Sequence, residues 1–164
     1  MRAASTPRLI GTLTHDVTPW SRLAADDPAL AAFAAERLTG AVAYLATIRS
    51  DGGPRLHPVS PILRPSGLFV FMEPSSPKRR DLLRDPRSAL HSGVEDDEGG
   101  GGEVTVWGRA RAIDDPDERA AVASADTPPR RVLFELRLER VVASTYESAG
   151  PVRRRWVAKP RGGG

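Results

Sequence analysis

A chain of 164 residues with 40% hydrophobic content suits one domain with a real core, and no apolar run approaches membrane-spanning length. The lack of cysteine excludes disulfides and thiolate chemistry, and the scattered His15, His57 and His91 have no metal-ligand spacing, so no metal centre is expected. The net charge is +3, and the positive charge is almost all arginine, with Lys78 and Lys159 the only lysines; aromatics at 5% and interspersed acids argue against a nucleic-acid surface.

Residues 1–25 are polar and punctuated and read as an N-terminal arm. Its start lacks the apolar core of a secretory signal, and a soluble cytoplasmic protein is expected. Asp27-Pro28 then opens a helix, with Asp27 as N-cap, Pro28 at the first position and Leu30, Phe33, Ala34 and Leu38 forming an inward stripe up to Gly40. From Ala41 the period changes. Ala41–Arg49 is apolar on both faces, as in a strand within a closed barrel, and Ser50-Asp51-Gly52-Gly53 is a hairpin turn. The second strand, Pro54–Arg64, carries Pro58 and Pro61, which cannot donate to a ladder; part of it must lie at an edge or bulge that a ligand can cover. Leu68–Met72 is a third strand.

That strand leads into Ser75–Pro86, which predicts a short helix with Ser76 as N-cap, Pro77 at the first position, Leu82 and Leu83 inward, and a stop at Asp85-Pro86. Its charge order is unusual. Lys78, Arg79 and Arg80 crowd the first turn, where unpaired N–H groups and the macrodipole are already positive, at a cost of about 0.3–1 kcal/mol each. A bound anion, above all a phosphate, reverses that cost by drawing the N–H groups, the Ser76 hydroxyl and the cations together. A solvated basic turn is the alternative, and the local sequence leaves both readings open.

Arg87–Val94 is a fourth strand, and residues 95–102 form an acidic, glycine-rich loop whose carboxylates are expected to be solvated. Glu103–Ile113 alternates as a fifth strand, Asp114-Asp115-Pro116 starts a short helix over Asp117–Ala123, residues 124–130 are a loop, and Arg131–Tyr146 is the last strand. Residues 147–164 are a tail, frayed past Trp156, in which Arg153, Arg154 and Arg155 read as a solvated run and Trp156 as a cover for the barrel end. The expected fold is mainly β (α+β): an antiparallel barrel of about six strands over residues 26–146, with three short helices packed outside.

The order of these elements resembles the pyridoxamine 5'-phosphate oxidase-like, FMN-binding split-barrel family. The likeness is carried by Ala43–Ile48, Gly53–Val59, Gly67–Phe71, Ser76-Pro77-Lys78 with Leu82, Asp85–Leu90 and Val104–Ala110. It implies a homodimer with FMN in a groove between subunits, on the second and third strands. Carried over, Ser76 and Lys78 become phosphate ligands, with Arg79 beside them. His57, Pro58, Val59 and Ser60 line the ribityl chain and ring, and Phe71 and Met72 supply third-strand contacts. F420 or haem are the alternative cofactors the resemblance allows, and a non-catalytic flavin-binding or cofactor-free dimer is the alternative to an enzyme. The chain departs from the oxidases at Pro77, where they have arginine, at Glu103, where they have a glutamine on the flavin ring, and at Ile62, where they have a basic residue. A glutamate at 103 should point away from the ring or hold a proton. Residues 147–164 lack the segment that binds pyridoxal phosphate, so a flavin-dependent redox activity on another substrate is expected. No catalytic acid–base or nucleophile constellation stands out.

Overall fold

The computed structural model describes residues 18–159; residues 1–17 of the expected arm, His15 among them, and residues 160–164 lie outside the described residues. The elements run α1 (Trp20–Asp26), α2 (Pro28–Leu38), β1 (Ala43–Ile48), β2 (Pro54–Val59), β3 (Ile62–Arg64) and β4 (Gly67–Met72). They continue with α3 (Pro77–Arg84), β5 (Arg87–Ser92), β6 (Glu103–Ile113), α4 (Pro116–Val122), β7 (Val132–Glu147) and β8 (Gly150–Val157). Among the described residues, eight strands and four helices thus stand where about six and three were expected.

Three differences have local causes. The expected arm reaches into the fold, because Trp20 and Leu23 share one face of α1 and are both buried. The second strand breaks at Ser60-Pro61 into β2 and β3, since a proline there can donate no ladder bond. The expected tail instead folds back as β8, paired with β7 from Arg140↔Val157 to Glu147↔Gly150. Trp156 is buried, its indole N–H donating to Asp26 at 3.2 Å, and Arg154 pairs with Asp27 at 2.7 Å. The two ends of the described chain are therefore tied together.

Helix starts follow the proline signals. Asp27 accepts the Leu30 N–H at 3.0 Å, and Asp115 accepts the N–H groups of Asp117 and Glu118 at 3.0 and 2.9 Å. The sheet is antiparallel in the order β2-β1-β5-β6-β7-β4-β3. β7 is long enough to serve three partners. One edge carries β6 along its length, and the other is shared by β4 at Val132–Glu135 and β8 from Arg140 onward. Between them Thr18 exchanges two hydrogen bonds with Leu138, at 2.9 and 2.7 Å. A bulge at Trp107/Gly108 lets β6 curl, and a Cβ on Gly108 would lie 1.8 Å from the Arg137 carbonyl, so only glycine fits.

The strand path ends at β2 and β3, which are neighbours in sequence joined by Ser60-Pro61. The curled sheet thus meets itself at a seam closed by the chain, with no ladder across it among the described residues. Inside lie Leu45, Leu68, Leu90, Phe134 and Leu138, each fully buried; such side chains contribute about 1.5–3 kcal/mol apiece.

Candidate cofactor site at the barrel seam

A cavity of about 450 Å³ opens at this seam, within the ~300–1,000 Å³ range of cofactor sites. Pro58, Val59 and Ser60 from the end of β2 form one side of it, with Ile62 from β3, and Phe71 and Met72 from β4 form its floor. Lys78 reaches it from the first turn of α3. Of the residues expected at a site, these place Pro58, Val59, Ser60, Phe71, Met72 and Lys78 around one space. His57, Ser76 and Arg79 do not line it. Arg79 is turned toward the Pro74 carbonyl, at 3.4 Å.

The start of α3 has spare hydrogen-bonding capacity. Ser76 is the N-cap, but its hydroxyl makes no capping bond. Its carbonyl takes the N–H groups of Arg79 and Arg80, Pro77 has none, and the Lys78 N–H finds no partner among the described residues. The Lys78 ammonium likewise forms no ion pair among the described residues, and burial lowers its pKa. Nearby, His57 has a buried Nε2 with no hydrogen-bond partner. Burial, and then the charges of Lys78 and Arg55, hold its pKa below the ordinary imidazole value, so it is neutral near pH 7.

What fixes this helix is Asp81, which the sequence reading did not single out. Its carboxylate is buried and accepts from the Thr47 hydroxyl at 2.9 Å and the Arg55 Nε at 2.6 Å, with Arg84 at 3.4 Å. Burial pushes this carboxyl up, but the bonds from Arg55 and Thr47 outweigh it and leave the pKa below the ordinary value. The clamp ties α3 to β1 and β2, setting where Lys78 stands relative to the seam.

The far wall was also missed. Glu73, Ser124, Asp126, Thr127 and Arg131 line the cavity with Val42, so the loop after α4, expected only as a connection, supplies part of the site. Its sole advance signal was Glu73, directly after the expected third strand. Glu103, the departure noted on β6, faces elsewhere: Tyr146 donates to it at 3.1 Å, and His91 Nε2 lies 3.4 Å away. None of these three lines the cavity.

A family profile described as pyridoxamine 5'-phosphate oxidase matches residues 27–144. Among solved structures, PhzG from Burkholderia lata 383, in complex with tetrahydrophenazine-1-carboxylic acid, is 15% identical with a TM-score of 0.62, over 87% of this chain and 89% of that one. A heme binding protein from Mycobacterium smegmatis is 21% identical with a TM-score of 0.61, covering 77% of this chain and 56% of its own. An F420 reductase is 19% identical with a TM-score of 0.52, over 65% of this chain and 94% of that one. At these identities the likeness establishes the fold, a split β-barrel. No match was found among curated proteins.

Proposed function

The chain belongs to the pyridoxamine 5'-phosphate oxidase family, and within it we propose an FMN-binding oxidoreductase with its cofactor in the seam cavity. The observation that carries this reading is Lys78, a partly buried cation at a helix start with no counter-ion among the described residues. An unpaired buried charge is costly, and a phosphate relieves it. The surrounding groups fit such a guest. Among the described residues the Ser76 hydroxyl and the Lys78 N–H have no acceptor, and neutral His57 holds one ring nitrogen without a partner. Val59, Phe71 and Met72 present apolar surface that excludes water from a planar ring.

Bound there, FMN supplies hydride or electron transfer, chemistry that asks for no side-chain nucleophile. The chain's own part is to anchor the phosphate, orient the ring and keep the site dry. Glu103, engaged by Tyr146 and turned to His91, brings no carboxylate to the cavity of its own subunit. A homodimer completes the groove in this reading. Leu56, Ala46, Ala89 and Trp107 are register partners across β2, β1, β5 and β6, forming a row that ends in the exposed Leu56. Tyr44 and Pro58 lie in the next row, so the apolar face runs into the cavity rim at Pro58.

Absorbance and fluorescence spectra of the purified protein, before and after adding FMN, test the proposal. Saturable flavin binding is expected, with the protein dimeric by light scattering. Lys78→Ala should weaken binding by about 1.5–3 kcal/mol, the range for hydrogen bonds to charged groups. Unchanged affinity in that variant would remove Lys78 from the site, and a haem or F420 spectrum in the purified protein would replace FMN. Turnover with NAD(P)H and an electron acceptor separates an enzyme from a flavin carrier.

A further inference from the structure

Loop 124–131 is built as a wall of the cavity. Arg119 donates to the carbonyls of Pro128 and Pro129, both at 3.2 Å, and to that of Arg131, while its guanidinium lies 4.8 Å from the centre of the Phe71 ring on the cavity floor. Glu73, at the end of β4, takes Arg130 at 2.9 Å and Arg131 at 3.1 Å. The near end of the loop is folded on itself, with Thr127 Oγ1 accepting the Ser124 N–H at 3.0 Å. These contacts hold Ser124, Asp126 and Thr127 at the cavity lining.

The charges around the space then divide. Arg131 is engaged by Glu73, which it shares with Arg130. That leaves Lys78 on one side and Asp126 on the other, each without an ion partner among the described residues. A cofactor phosphate satisfies the first. The second is an acceptor-only group flanked by hydroxyls, the wrong chemistry for another anion and the right one for a cation or a fixed N–H donor.

We propose that Asp126, with Ser124 and Thr127, is the substrate-recognising wall of this site and selects a small planar substrate bearing an amine, amidine or protonated ring nitrogen over one bearing a carboxylate or phosphate. This rests on the reading of the cavity as a redox cofactor site. Its test does not.

Benzamidine and benzoate, rings of similar size and opposite charge, are titrated by calorimetry into wild type and Asp126→Asn, with and without FMN. Removing the charge should weaken benzamidine about fivefold, as for the loss of a partly exposed ion pair, while benzoate holds or binds more tightly. The inference is overturned if the substitution moves both probes alike, if it leaves benzamidine unchanged, or if neither probe binds wild type. FMN affinity, read in the same series, should hold or rise in Asp126→Asn, and a fall would make Asp126 a cofactor contact. If FMN fails to bind wild type, the cofactor reading falls, while the probe comparison in cofactor-free protein still decides the role of Asp126. Ser124→Ala serves as a second variant that keeps the charge, with an expected weakening of benzamidine of about threefold, toward the low end of the range for one hydrogen bond. Circular dichroism melts confirm that each variant is folded.

Discussion

Toward its C-terminal end α3 has Asp81, Arg84 and Asp85 all engaged by partners, whereas at its start Lys78 stands without a counter-ion among the described residues. The helix is eight residues long, so one element shows both behaviours within about two turns. Its engaged end holds it against β1 and β2, and its open end faces the seam cavity. Electrostatics that is complete serves the fold. Electrostatics left incomplete beside a cavity is what a ligand site requires.

The contrast breaks most forcefully at the clamp. Asp81→Ala removes the acceptor that Thr47 and Arg55 share in a buried setting, and denaturant unfolding should show a loss of about 3–5 kcal/mol. A loss under about 1 kcal/mol would mean that other contacts hold the helix. At the open end the expectation reverses. Lys78→Ala should leave the stability of the cofactor-free protein unchanged or slightly raised, since it removes an unpaired cation from a helix start, while weakening FMN by about 1.5–3 kcal/mol; an equal loss in both would make the lysine structural.

Ser76 sharpens the comparison further. Because its hydroxyl makes no capping bond, Ser76→Ala should change the melting temperature little yet lower FMN affinity by about 0.5–1.5 kcal/mol. The matching change at the start of α4, Asp115→Ala, should cost about 1 kcal/mol of stability, since that carboxylate caps two N–H groups. The smallest effect is on pH. The folded protein holds His57 below the ordinary imidazole value of 6.5. As the pH falls through that value, the unfolded chain takes up a proton that the folded chain refuses. Stability is therefore full above this range and declines with acidification. Thermal melts from pH 7.5 downward should show a shallower decline in His57→Gln, and identical slopes would count against a neutral imidazole whose Nε2 is shut off from water.

Much of the frame was legible because its signals are local. Asp27-Pro28, Ser76-Pro77 and Asp115-Pro116 each mark a helix start, and Pro61 marks the break where β2 gives way to β3. β8 was illegible for a reason visible in its burial. Every residue from Pro151 to Arg155 is exposed, so the strand has no alternation, and it is held by its ladder with β7, the buried Trp156 and the distant pair of Arg154 with Asp27. Asp81 was hidden among the charges of α3, because its partners Thr47 and Arg55 lie 34 and 26 residues earlier. Asp126 sits in a polar loop like many others. What makes it a wall residue is Arg119 and Glu73 gripping the same loop from different elements, which no window of sequence displays.

The two residues that join β2 to β3 carry a mechanical consequence. A barrel laced by hydrogen bonds all round resists widening, because each increment of girth ruptures backbone pairs. Among the described residues the circumference is completed at this line by covalent chain, with no backbone ladder across it, so a small increase in girth there ruptures no strand pair. Deformation of an otherwise stiff wall is thereby concentrated along one line.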